Sequence, residues 1–466
     1  MTTLKIYSPY DRHQIDELPL MSEQEAFQAL QKATLLFNDS KRKLPRYKRI
    51  EILEKTYSLL LQQQEQLIQI AAAEGGKPLT DTRIEMTRAL QGIKIGIAEM
   101  QSQTGTQIPM DLTSAGDHRL AFTTREPRGV VLAISAFNHP INLIIHQIIP
   151  AIATGCPVLI KPTSTTPRSC LKIIEALYAA GLPVEWCQPL ICPSQIVEKI
   201  AADAAIGFLS FIGSASVGWH LRSQLAPGVT CALEHGGVAP VIITADADID
   251  DTLPLLVKGG YYHAGQVCVS VQRIFIEKSL IKTFSTRFVD LVNNLKVGDP
   301  LKNDTEVGPL INPQELLRID SWIKEAVAGG AQLLCGGHSI SETCYAPTVI
   351  LNPPQQCQLS RLEVFGPIVC IYDYSDTQEA IYLANKLPYC FQSSVFTQQL
   401  NNAFIIAQQL AANTVLINDH TAFRVDWMPF GGRKQSGLSV GGIPYTMHDM
   451  TYEKLWVMRS PAMNGV

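Results

Sequence analysis

Cys268 lies in the run Gly-Gln-Val-Cys-Val-Ser at 265–270, 34 residues after Glu234. A thiol and a carboxylate are raw material for covalent catalysis. The thiolate attacks an electrophilic carbon, and the carboxylate takes a proton from the thiol or from a water. A thiol ionises at neutral pH only with help from a positive neighbour, a helix dipole or a base. His263 is close in sequence, but its spacing from Cys268 matches no Cys/His dyad. A tetrahedral adduct at cysteine needs hydrogen-bond donors for its oxyanion, and the side-chain amide of Asn138 can supply one. Each residue also has a plain structural role open to it. Cys268 can be one more buried thiol among eleven, Asn138 in Phe-Asn-His-Pro can make a turn, and Glu234 can be a solvated strand end.

The elements around these residues sort them. Residues 22–100 read as helical: Ala26, Phe27, Leu30, Ala33 and Leu36 recur at helical spacing behind a Ser22/Glu25 capping pattern, and a second periodic run from 46 continues to Gly75-Gly76. Within 102–127, "RLAFTTREP" reads as an extended arm. From 128 the texture changes to strands alternating with helices: "RGVVLAIS", "CPVLIKP", "WCQPLIC", "GFLSFIGS" and "VTCALEHGG" are strands. That alternation predicts a parallel, doubly wound sheet, which binds ligands beyond the carboxyl ends of its strands. Asn138, Lys161, Gly213-Ser214 and Glu234 each follow such an end, so four strands aim polar groups at one crevice. A second α/β region runs from 237 to about 440, with "PVIITADADID", "QRIFIEKS", "APTVIL", "GPIVCIYDY", "SSVFT" and "NTVLIND" as strands. The border near Gly236-Gly237 rests on turn chemistry.

Composition narrows the function classes. With 46% hydrophobic and 17% charged residues and a net charge of −4, the 466-residue chain has the make-up of a soluble protein of two or three domains, with no basic excess for nucleic acid. "INLIIHQIIPAIATGCPVLI" is too interrupted for a membrane span, and the first residues do not read as a secretory signal. Eleven cysteines without CxxC spacing make neither a disulfide framework nor a zinc site, so the expectation is a reducing cytoplasm and no metal.

"FNHPINL", "KPTSTTP", "FIGSASVG", "LEHGGVAPVII", "GQVCVS", "EVFGPIV" and "MPFGGRKQSGL" occur in this order along nearly the whole chain. Together they resemble the NAD(P)-dependent aldehyde dehydrogenases. The resemblance implies that Cys268 attacks an aldehyde to give a thiohemiacetal whose oxyanion is held by Asn138 and the backbone N–H of Cys268. Hydride then passes to NAD(P), and Glu234 activates the water that hydrolyses the resulting thioester. Glu234 favours hydrolysis over acyl transfer to coenzyme A. The resemblance further implies a dinucleotide site. There Lys161 bonds the adenine ribose, Gly213 and Ser214 form the turn near the pyrophosphate, Glu363 holds the nicotinamide ribose, and Phe365 packs near the ring. It implies a Rossmann-type cofactor domain (1–106 and 127–236), an α/β catalytic domain (237–440) and a bridging element (107–126 and 441–466), in a homodimer or homotetramer. Two other readings stay open: a thiol esterase using the same cysteine, and a non-catalytic binding protein on this fold.

The departures are informative. Ser164 stands where NAD-preferring relatives often carry a glutamate, which removes a clash with a 2′-phosphate and leads us to expect that NADP is accepted. Arg168 is either a phosphate contact or an exposed helix-start residue. His235 replaces a common leucine beside Glu234 and either tunes it or faces away; Val238 replaces a frequent lysine. Arg424, shortly before Pro-Phe-Gly-Gly, can grip the distal anion of a semialdehyde, or can be a structural ion pair with Asp426 or Asp419.

Overall fold

The structure, a computed structural model, describes residues 2–463. Met1 of the expected 1–106 segment and the last three residues of the expected 441–466 segment lie outside the described residues. Strands Val130–Ile134, Val158–Lys161, Cys187–Pro189, Ile206–Ile212 and Thr230–Glu234 form a parallel sheet. Val130–Ile134 is central, with Val158–Lys161 then Cys187–Pro189 on one side and Ile206–Ile212 then Thr230–Glu234 on the other. Strand order therefore reverses between Val130–Ile134 and Ile206–Ile212, and a crevice opens beyond their carboxyl ends. Gly437–Leu438 adds an antiparallel edge that sets Gly437 opposite Glu234.

Both faces of this sheet are covered, which explains why its strands read as unbroken apolar runs. Val131 and Ala133 pack with Ile145 and Ile149 of helix Asn142–Thr154. Val130 and Leu132, on the opposite face, pack with Leu30 and Ala33 of helix Glu23–Asn38 and with Val197 of helix Ser194–Ala201. Ser22 and Glu25 make the expected capping box. The periodic run from 46 is not one helix. It breaks at Gln63 (φ −101°, ψ 10°) into Arg46–Gln62 and Gln64–Gly75, and Gly76 ends the second at φ 73°. No glycine or proline marks that break, and the apolar period carries across it.

A second sheet runs in the order Gln332–Cys335, Thr348–Leu351, Ile368–Tyr374, Arg273–Glu277, Pro240–Ile243, Gln392–Phe396, Thr414–Ile417. Only Gln332–Cys335 is antiparallel to its neighbour, and this short, half-exposed edge strand was not expected from the sequence. A third sheet joins distant segments: Thr451–Arg459 pairs with Arg119–Pro127, which pairs with Gln107–Ile108. Among the described residues no helix is long and apolar enough to cross a membrane, and no cluster of His, Cys, Asp and Glu is arranged to hold a metal ion.

Candidate active site

At the reversal point lies a cavity of about 540 Å³. Asn138, Gly213, Ser214, Glu234, Cys268, Glu363, Phe365 and Arg424 all border it. Lys161 and Ser164 border an adjoining cavity of about 180 Å³ that shares Ser135, Thr163 and Phe211 with the first. The residues expected to act in catalysis, cofactor binding and substrate binding thus border one of two neighbouring spaces, although they come from both large sheets.

The loop carrying Cys268 is strained and heavily tied. His263, Ala264 and Gly265 are left-handed in succession (φ 50°, 53° and 67°), and a Cβ on Gly265 would strike the Gly366 carbonyl. Non-glycine residues there cost roughly 1–2 kcal/mol each, so neighbouring contacts must hold them. Gln266 supplies several. Its Nε2 donates to the Pro309 (3.1 Å) and His263 (3.3 Å) carbonyls, and its Oε1 accepts from the Ile311 N–H at 2.9 Å. Thr421 Oγ1 donates to the Val269 carbonyl at 2.7 Å. Asn138 Nδ2 donates to the Gln266 carbonyl at 3.0 Å. An amide nitrogen carries two hydrogens, so this bond fixes the Asn138 side chain and leaves the second N–H for a ligand.

The electrostatics around Cys268 centre on Arg424. Burial pushes the Cys268 thiol well up, the Glu234 and Glu363 carboxylates push the same way, and Arg424 opposes them. Burial also raises Glu234, against the pull of Arg424 and Arg88. Arg424 is itself buried, with its Nη1 3.7 Å from Glu234 Oε1, its Nε 4.0 Å from Asp426 Oδ1, and its guanidinium 3.5 Å above the Phe430 ring. Of the two expected partners, Asp426 is thus near but beyond hydrogen-bond length. The Asp419 carboxylate accepts instead from the His420 N–H.

Asp426 has closer partners, and they were not legible in the sequence. Arg88 holds it with a two-pronged contact (Nε 3.0 Å, Nη2 2.8 Å), while His146 Nε2 (2.8 Å) and Asn142 Nδ2 (3.1 Å) donate to the same Oδ1. Burial works against its ionisation, but the hydrogen bonds from His146 and Arg88 prevail and keep it a carboxylate. With Nε2 donating, His146 Nδ1 is an acceptor, and Arg424 Nη2 lies 3.4 Å from it. Burial, together with the neighbouring guanidinium groups, pulls His146 down to about 4, so it is neutral.

His235 faces away from Glu234. Its Nδ1 bonds the Gly213 carbonyl at 3.0 Å, and its ring packs edge-on against Phe211 and Trp219. It pins the turn at Gly213-Ser214, and Gly218 leaves room for the ring. Arg168 borders neither cavity; its Nε contacts Asp16 at 2.9 Å.

The cavities suit a dinucleotide. Glu363 Oε1 is buried without a hydrogen-bond partner among the described residues while bordering the cavity, as expected of an acceptor reserved for a ligand hydroxyl. Burial raises its carboxyl to about 8. A Cβ on Gly236 would collide with that carboxylate, so the glycine keeps its place open. Helix Ala215–Gln224 starts at Ser214, which borders the cavity and makes no side-chain cap, so the helix's first backbone N–H groups are open to an anion. Among the described residues Lys161 Nζ bonds only its neighbouring Pro162 carbonyl (2.9 Å) and has further donors to give.

Comparison with known proteins agrees with this geometry. A family model described as the aldehyde dehydrogenase family matches residues 1–456. A 3-sulfolactaldehyde dehydrogenase of Priestia megaterium is 36% identical over 413 residues, covering 88% of this chain and 86% of that one. A lactaldehyde dehydrogenase of Methanocaldococcus jannaschii is 35% identical, with 96% of each chain covered. The crystal structure of a glyceraldehyde-3-phosphate dehydrogenase from the same organism, complexed with NADP, superposes with a TM-score of 0.94 at 32% identity, covering 98% of this chain and 99% of that one. The chain belongs to the aldehyde dehydrogenase family, as an oxidoreductase that acts on aldehydes with NAD(P).

Proposed function

We propose that this enzyme oxidises an aldehyde bearing a distal anion to the carboxylate, with Cys268 as nucleophile, Asn138 as oxyanion donor and Glu234 as general base. What carries the reading is that these three residues and Arg424 border one cavity. The Cys268 thiol gives its proton to solvent, with the neighbouring Arg424 cation favouring the thiolate, and the sulfur adds to the carbonyl carbon. The free N–H of Asn138 and the backbone N–H of Cys268 receive the oxyanion. When bound, NAD(P) supplies the two-electron oxidant that turns the thiohemiacetal into a thioester. Glu234 then takes a proton from water as it adds to the thioester, and the Cys268 thiolate departs. Glu363 is assigned to the nicotinamide ribose, with Phe365 beside the ring. Gly213 and Ser214 are assigned to the pyrophosphate, and Lys161 and Ser164 to the adenosine end. Ser164 carries no charge to repel a 2′-phosphate, so NADP is accepted.

Arg424 supports the anionic substrate. It is buried, its Nε has no hydrogen-bond partner among the described residues, and it borders the cavity. Two of the relatives above are named for aldehydes carrying a sulfonate or a phosphate, and one for neutral lactaldehyde. The segments 1–106 with 127–236, 237–440, and 107–126 with 441–466 are assigned to cofactor binding, catalysis and assembly. Exposed Leu455, Trp456, Val457 and Met458 on the terminal strand suit burial against another copy, in a dimer or tetramer. The eleven cysteines are all free thiols, as suits the cytoplasm.

The test is formation of reduced nicotinamide without coenzyme A, with NAD and NADP against neutral, aromatic and anionic aldehydes. The expected result is highest kcat/KM for an anionic semialdehyde, turnover with NADP, and no signal from Cys268→Ala. A preference for a neutral hydroxyaldehyde would move the substrate class, and turnover by Cys268→Ala would overturn the mechanism.

A further inference from the structure

Arg424 and Arg88 both border the cavity, yet they differ in how their charge is used. Arg88 spends its fork on Asp426 in two bonds of ordinary length. The Asp426 charge is thereby committed, and neutral His146 adds none. Arg424 is left as a buried cation that His146 and Phe430 orient but no carboxylate grips. Its closest carboxylate oxygen belongs to Glu234, at 3.7 Å, a Coulombic contact without a hydrogen bond. The base proposed to hydrolyse the acyl-enzyme is thus also the resting counter-ion of the group proposed to receive the substrate's anion.

Those two roles compete. A carboxylate, sulfonate or phosphate can take the guanidinium through charge-assisted bonds of about 2.8 Å, stronger than the loose contact it displaces. Resting on that substrate assignment, we propose that the distal anion of the bound substrate takes Arg424 from Glu234 and so frees Glu234 to activate water. Arg424 is then a positioning residue that couples substrate identity to the second half of the reaction. A neutral acyl group leaves Glu234 held, and its thioester is hydrolysed slowly. Held beside a cation, a carboxylate is also a weaker base, which slows general-base activation of water.

The test needs no dinucleotide. Cys268 is acylated with the 4-nitrophenyl ester of butyric acid or the 4-nitrophenyl monoester of succinic acid; the thiolate displaces 4-nitrophenolate and leaves a thioester. After removal of excess ester, intact-mass spectrometry at pH 8 follows loss of the acyl group as water adds, its proton goes to Glu234, and the thiolate departs. Rates in Glu234→Gln are subtracted, because a succinyl carboxylate can assist its own hydrolysis. In the wild type, succinyl should leave about tenfold faster than butyryl. In Arg424→Gln, butyryl loss should accelerate about tenfold and the difference between acyl groups should vanish, whereas Arg424→Lys should restore slow butyryl loss. Dinucleotide binding by each variant checks that it is folded. Butyryl loss that is unchanged or slower in Arg424→Gln overturns the inference. If Arg424→Gln still raises KM selectively for anionic aldehydes, the substrate assignment survives that failure. An equal change in KM for neutral and anionic aldehydes removes the assignment and the inference with it.

Discussion

Asp426→Asn keeps the shape of the side chain that four donor atoms converge on but removes its charge. The wild-type carboxylate is 2% exposed and takes two hydrogen bonds from Arg88, one from His146 and one from Asn142. Removing one partner of a buried pair costs roughly 3–5 kcal/mol, because the other charge is left uncompensated. The Arg88 side chain is 22% exposed and can recover some hydration, which sets the cost near the lower end, at about 3 kcal/mol. With an unfolding entropy of about 2.1 cal/mol/K per residue, Tm should drop by about 3 °C if the whole chain melts together and about 6 °C if half of it does. Scanning calorimetry measures this directly. Adding Arg88→Met should return part of the loss, since the uncompensated cation is then gone. A drop below about 1 °C, or no recovery in the double variant, would refute the view that Asp426 is a buried charge hub.

The same cluster predicts a pH dependence. His146 sits at about 4 in the folded protein, against about 6.5 in an unfolded chain, so the unfolded state binds more protons between those values. Its contribution is fully present above about pH 6.5 and declines toward pH 4, by up to about 3 kcal/mol; urea titrations of wild type and His146→Gln should diverge in slope across that window. Gln266→Ala removes three ties on the strained loop before Cys268, and kcat should decline by about 10- to 100-fold while dinucleotide affinity holds, as separate kinetic and binding titrations would show. Ser164→Glu places a carboxylate in the cavity assigned above to the adenosine end and should raise KM for NADP by at least about tenfold with little change for NAD.

The alternation of strands and helices from 128 onward was legible because a sheet covered on both faces needs apolar runs, and these are easy to see between turn residues. The rule about strand ends brings Asn138, Gly213 and Glu234 to one cavity, with Lys161 on the adjoining one rather than in the same crevice. The break at Gln63 was hidden because the apolar period runs through it, and Gln332–Cys335 because a half-exposed edge strand needs no apolar run. What surrounds Arg424 was harder still. Asp426 and Arg88 are 338 residues apart, and nothing local to Arg88 on its helix marks it as a partner. The choice offered by the sequence for Arg424, anion receptor or ion pair, was also too narrow. Asp426 is already bonded elsewhere, and the nearer carboxylate is Glu234 itself. His235 was resolved by its ring, which turns toward Gly213 and away from the base.

A thioester on Cys268 that Glu234 clears can be trapped by a single rapid mixing of Glu234→Gln with NADP and an anionic semialdehyde. The predicted result is a burst of reduced nicotinamide equal to the active sites, followed by near-arrest, with intact-mass spectrometry locating the acyl group on Cys268. Steady turnover without a burst and without an adduct would contradict the claim.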